Sequence, residues 1–380
     1  MRRQRLMATL RGEAVDRPPV NFYELNALDQ NSRDPDPFNV FNDPSWGPLL
    51  ELVREKSDRI VMRSPAFVET PADPLESLTE RQTWHDERGS RFVRTTIQAG
   101  RRSLTSITRR DPDIDTIWVI EHLLKDVEDF RAWIDLPQAE FGGTVDTSSV
   151  LEAEASLGES GIVMLDTNDP LCTVAALFDM ATFTVIGLTE NALMHAALEK
   201  VARLLLPQVR AAAEALPGRL WRIYGPEYAS PPYLPPALFE EYATRYVTPM
   251  VEAIQGPGGF ARVHCHGRIR EILGHMAATG CVAIDPIEPP PQGDVTLSYV
   301  RERHGRQLVL FGNLEISEIE NMPTVAFEKR VEAALREGTA GKGRGFVLMP
   351  SSAPYGRKLP ELTFRNYEAI VRVVEEMFGH

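Results

Sequence analysis

Val263-His264-Cys265-His266-Gly267 is the segment whose residue types and spacing point most directly to chemistry. It closes the apolar run FARVH (residues 260–264), which reads as a β-strand. In extended chain, residues two apart share a face, so His264 and His266 project together while Cys265 turns the other way, into packing. Two imidazoles side by side form half of a site for Zn²⁺ or a similar divalent ion. The pair fits equally well with histidines that recognise a polar or anionic substrate by hydrogen bonds. A catalytic metal wants a third protein ligand and an open position. Glu288, in IEPPPQGD (287–294), is the expected third ligand, because the adjacent prolines stiffen its loop. A rigid connector carrying an exposed Glu is the alternative. Glu227 is the second choice.

Other polar residues follow apolar runs in the same way. They are Asn21 and Tyr23, Asp166, Asn168 and Asp169, Glu227 and Tyr228, Asp285, Asn313 and Glu315, and Ser351 and Ser352. In GNLE (312–315), Asn313 could offer an amide to substrate and Gly312 a close backbone approach, or the pair could simply make a turn. GPEYASPPYLPP (225–236) reads as a structured loop that shapes a pocket or merely joins two elements. His85, His122, His195, His275, His304 and His380 read as structural or surface residues.

The elements that must position these residues are short β-rich runs alternating with helical patterns, the signature of a parallel α/β architecture. Eight runs qualify as strands: 18–23, 59–63, 162–166, 220–224, 260–264, 281–285, 307–311 and 345–349. Helical patterns cover 118–134, 188–215, 236–254, 268–278, 325–337 and 361–377, with Thr324 as an expected N-cap. Eight strands with helical returns predict one (β/α)8 TIM barrel over residues 1–380, with its site at the C-terminal ends of the strands. The surplus length falls into insertions at about 24–57 and 64–117. The second insertion includes a β-hairpin after strand 2, turning at Glu87-Arg88-Gly89. No Gly-rich phosphate loop follows the first strand, which argues against an open dinucleotide-binding sheet.

The chain of 380 residues carries a net charge of −13, which disfavours nucleic acid or an anionic membrane as partner. Three scattered cysteines make no disulfide framework, and no signal peptide or spanning segment is visible, so the cytoplasm is expected.

RRQRLMATLRGEAVDRPPV, VHCHGRIREIL, LVLFGNLE and RNYEAIVRVVEEM resemble, in this order, segments of the uroporphyrinogen decarboxylase superfamily. That resemblance covers nearly the whole chain and implies a (β/α)8 barrel. It also implies one of two activities: cofactor-free decarboxylation, or zinc-dependent methyl transfer to or from a corrinoid protein. True decarboxylases carry an arginine-rich motif resembling MRQAGR after the first strand, where this chain has NFYELNALDQ. Instead of a Gly-His-Gly turn after the eighth strand it has MPSSAPYG. The methyltransferase branch carries H-x-C and a later Cys; here His264 matches the first ligand, His266 replaces the Cys, and Ser351 or Ser352 stands near the later one.

These readings converge on a metal-assisted methyltransferase-like enzyme. His264, His266 and Glu288 would hold the metal, and Glu227 or Asp169 would move protons. Asn21, Tyr23, Asn168, Tyr228 and Asn313 would orient a small, methoxylated substrate. A partner protein would supply the corrinoid, and a homodimer is compatible. The alternative is a lyase decarboxylating a small acid or tetrapyrrole relative without cofactor.

Overall fold

In the computed structural model, which describes residues 1–379, seven parallel strands form one curled sheet. In spatial order they are Arg59–Arg63, Gly161–Asn168, Leu220–Tyr224, Phe260–His264, Ala283–Asp285, Val309–Leu314 and Gly345–Pro350. The spatial order follows the chain order, as right-handed βα returns require. Helices such as Asn191–Ala215, Arg245–Gln255, Thr324–Gly338 and Glu361–Phe378 provide the returns.

Side-chain alternation along each strand sorts the apolar residues into two layers. Ile60, Ile162, Met164, Leu220, Ala283, Val309, Phe311, Val347 and Met349 cluster on the concave face, joined by Leu6 and Leu10 from helix Arg2–Arg11. Their neighbours Val61, Val163, Leu165, Trp221, Ile223, Val263, Ile284, Leu310 and Leu348 pack against the outer helices.

The expected strand at 18–23 is reduced to a single parallel bridge between Val20 and Leu348. Asn21 N donates to Leu348 O at 3.0 Å on one side, and Asp58 N donates to Val20 O at 2.6 Å on the other. Pro18 and Pro19 have no N–H to give, so a longer ladder cannot form there.

The second insertion holds more than one hairpin. Thr79–His85, Arg91–Ala99, Arg102–Arg110 and Ile117–Glu121 make a four-stranded antiparallel sheet. The last of these corrects the helix expected over 118–134. IWVIE is β-branched and aromatic and pairs as a strand, and the helix begins only at Val127, capped by Asp126. Thr324 is the first helical residue rather than the cap, which is Pro323. Among the described residues, no helix is long and apolar enough to cross a membrane.

Candidate functional site

Strand Phe260–His264 places Ala261 and Val263 in the outer packing and turns Arg262 and His264 to the concave side. Cys265 continues the ladder with its N–H to Asp285 O at 2.9 Å, and its side chain is buried. His266 follows just beyond, with its ring centroid 4.6 Å from that of His264 and the two planes 88° apart. Each imidazole is anchored through Nδ1. His264 Nδ1 lies 2.7 Å from Asp285 Oδ2, and His266 Nδ1 lies 2.7 Å from Glu288 Oε1. As donors to carboxylates, both rings carry their proton at Nδ1 and turn Nε2 away from the carboxylate. Neither Nε2 has a hydrogen-bond partner among the described residues. His264 is buried, while the His266 side chain is 39% exposed.

The electrostatics follow from this anchoring. Burial resists charge on His266, but the hydrogen bond and charge of Glu288, with the charges of Glu227 and Asp285, prevail and raise its pKa. Burial likewise opposes ionisation of Glu288, and contact with His266 and the Gly267 N–H holds its pKa below the usual value. Burial works against Asp285 too, yet Arg262 and His264 bring it down to about 2.

The donor set does not fit the expected metal triad. Glu288 spends one oxygen on His266 Nδ1 and the other on Gly267 N at 2.6 Å, so it orients a histidine instead of completing a coordination sphere. Two Nε2 atoms remain where three protein ligands are needed. Among the described residues no group of three or more His, Cys, Asp or Glu side chains is placed to hold a metal ion.

A second network lies beside the histidines, built on two arginines, Arg222 and Arg262, that the sequence reading missed. Arg222, in the middle of strand Leu220–Tyr224, grips Asp166 with two bonds of 2.6 and 3.0 Å and donates to the Tyr23 hydroxyl at 2.6 Å. The Tyr23 ring stacks 6.2 Å from His264. Arg262 sits 3.0 Å from Asp285 Oδ1, off the hydrogen-bonding direction, with its guanidinium over the Phe311 ring. Glu315 is buried. One carboxyl oxygen accepts from Ser351 Oγ at 3.1 Å and the other has no partner, and burial with the nearby Glu288 charge pushes its pKa up to about 7. Charged residues at inward-facing strand positions, as in LWRIY and FARVH, were the available signal.

The remaining expected residues divide. Asn313 is buried, and its side-chain amide has no partner among the described residues. Gly312 has φ 146°, and a Cβ there would meet Pro286 O at 2.0 Å, so close approach does demand glycine. Glu227 is half-buried and accepts from Gly225 N at 3.0 Å. Tyr228 packs edge-on to Phe183, 6.1 Å away, and burial raises its pKa to about 12.

Two expectations need correction, Asn21 and Asp169, while Asn168 does face open space. Asn21 is buried and gives its amide to Asp58 O at 3.1 Å, so it ties the chain entry to the sheet instead of meeting substrate. Asp169 is wholly buried as the N-cap of helix Pro170–Ala175, accepting from Cys172 N at 2.7 Å, and cannot exchange protons with substrate. Asn168 bonds Asp169 O and Thr173 Oγ1, facing a cavity of about 200 Å³ with Asp166 and Tyr224. A further cavity of about 340 Å³ is lined by Glu24, Met62, Asp115 and Ser352. Neither is lined by His264 or His266.

Comparison with known proteins adds family and fold. The family model described as uroporphyrinogen decarboxylase (URO-D) matches residues 119–377. No curated protein matches the chain. Among solved structures, a methyltransferase from Methanosarcina mazei is similar over 99% of both chains, at 16% identity and a TM-score of 0.60. D-psicose 3-epimerase, determined in the presence of D-fructose, matches at 9% identity and a TM-score of 0.33 over 62% of this chain and 94% of its own.

Proposed function

The chain belongs to the uroporphyrinogen decarboxylase (URO-D) family, and from that membership we propose that it is a methyl-transferring enzyme acting on a small methoxylated substrate. The methyl acceptor in this reading is a corrinoid carried by a partner protein. The site sits at the C-terminal ends of the strands, in a barrel we take to be closed through residues 19–21. The observation that carries the reading is the pair of carboxylate-anchored imidazoles whose Nε2 atoms have no partner among the described residues.

Demethylating an ether needs a proton on the departing oxygen. A corrinoid, when its partner presents it, would supply the nucleophilic electron pair that takes the methyl group, and the pair of the broken carbon–oxygen bond would be left on the oxygen. His266, whose pKa Glu288 and Glu227 raise against the effect of burial, is the group placed to give an Nε2 proton to that oxygen when ionised and to take one back from solvent. His264, fixed by Asp285, lies edge-on to His266 and limits how that ring can turn. Tyr23, whose hydroxyl is held by Arg222, and Asn313 position the substrate body. No step passes through a metal, because Glu288 is committed as a buttress.

The family's decarboxylase name favours a second reading, release of CO2 from a small acid or tetrapyrrole relative. Arg222 and Arg262, the buried cations on strands Leu220–Tyr224 and Phe260–His264, are already answered by Asp166 and Asp285 and are not free to hold a substrate carboxylate. The test presents purified protein with methoxyphenols and free reduced corrinoid, following corrinoid absorbance and phenol product. Turnover that falls about 10²–10⁴-fold in His266→Gln supports methyl transfer with acid catalysis. Release of CO2 from carboxylic acids without corrinoid would establish the lyase instead.

A further inference from the structure

At the opposite end of the sheet, where strand Gly345–Pro350 begins, lies a cavity of about 510 Å³ that the reading above does not use. Its wall combines residues 12–18 with Arg301 and the loop Gly338-Thr339-Ala340-Gly341-Lys342-Gly343-Arg344-Gly345.

Arg301, on helix Leu297–His304, is only 9% exposed. Its guanidinium donates to backbone carbonyls alone: Gly305 at 3.2 Å, Gly345 at 2.9 Å, and Gly338. Its Nε is buried with no acceptor, and burial by itself brings its pKa down to about 10. Arg344 donates to Leu10 O at 3.2 Å and also buries an Nε without an acceptor. Lys342 is exposed and makes no hydrogen bond or ion pair among the described residues. The other charges on this wall are mostly satisfied. Arg17 pairs with Asp58 at 3.0 Å, Asp16 is held by Arg5, and Glu13 is exposed.

Burying a cation without a counter-charge is costly, and a chain of net charge −13 has carboxylates to spare. Among the described residues none is placed against Arg301. Guanidinium groups with open donors match the geometry of an oxyanion, and a compact ammonium adds point charge.

We propose that this cavity binds a small, multiply charged oxyanion, a phosphate or phosphate-monoester group, through Arg301, Lys342 and Arg344. The site is remote from the histidine pair and independent of the reaction assigned to it.

The experiment is titration calorimetry of the full chain with inorganic phosphate and with glycerol phosphate, against chloride at matched ionic strength. A saturable one-site isotherm is expected, weakened at least tenfold in Lys342→Gln/Arg344→Gln and preserved in His266→Gln. Lys342→Gln alone, at an exposed position, should give a smaller loss with unchanged thermal stability. Tighter binding of the ester identifies an organic phosphate as the ligand, and equal or tighter binding of phosphate identifies the free ion. Heats that do not saturate, that match chloride, that survive the double substitution, or that vanish in His266→Gln overturn the proposal.

Discussion

Arg262 and Asp285 can be separated into charge and shape by a double-substitution cycle. Both side chains are at most 1% exposed, and their charged atoms are 3.0 Å apart without a well-aligned hydrogen bond. At an effective dielectric constant of about 20, the Coulomb attraction at that distance is roughly 5–6 kcal/mol. Desolvation of two buried ions, several kcal/mol each, offsets it. Removing either partner alone leaves the other charge buried and unanswered, at a cost of about 3–5 kcal/mol. Asp285→Leu also removes the acceptor of His264 Nδ1, about 1.5–3 kcal/mol for a charged hydrogen bond. The pair Arg262→Met/Asp285→Leu removes both charges, so its cost should be near that of the lost His264 bond alone. By these figures the interaction energy is about 6 kcal/mol or more, read from urea unfolding midpoints with an unchanged m-value. If the double variant loses as much stability as the two single variants added together, the ion pair is not the reason these residues coexist in the sheet interior.

Three further outcomes follow from the same contacts. Glu288→Gln should lower the His266 pKa, so activity that needs the imidazolium should fall at lower pH than in wild type; an unmoved alkaline limb in the pH–rate profile would contradict the buttressing. Glu315, with its pKa raised from 4.5 to about 7, contributes stability that is complete below about pH 4.5 and is lost as pH rises through 7. After discounting for solvent near the mouth, the loss is about 1–2 kcal/mol; Glu315→Gln should flatten that fall in denaturation measured from pH 5 to 8. Gly225 has φ 119°, and a Cβ there would lie 2.3 Å from Cys172 Cβ and 2.5 Å from Asp169 Oδ1, so Gly225→Ala should cost about 3 kcal/mol or more in thermal denaturation, whereas Gly218→Ala, where a Cβ would meet nothing within 4 Å, should cost less.

The parallel sheet was legible because β-branched runs between helical patterns carry their own period. Residues 59–63, 220–224 and 260–264 occupy their expected positions to the residue. Legibility failed where a local signal competes with a tertiary one. Residues 18–23 look like a strand by composition, but two prolines leave only one bridge. IWVIE looked like a helix start until three other strands supplied an edge for it. At the site, period-two spacing correctly shares His264 and His266 between them on one face, yet it says nothing about which atoms of Glu288 meet which partners. Geometry alone separates a ligand from a buttress: 2.7 Å to a ring nitrogen and 2.6 Å to a backbone N–H commit each oxygen of that carboxylate to a hydrogen-bond donor of the protein. The same limit hid Arg222 and Arg262. An interior strand position is presumed apolar, so a charged residue there reads as noise until Asp166 and Asp285 appear opposite. An arginine at an inward strand position is therefore better read as a demand for a nearby acid than as an error in the strand assignment. Applied to LWRIY and FARVH, that rule sends the search to IVMLD and CVAID, the neighbouring strands that end in the two aspartates.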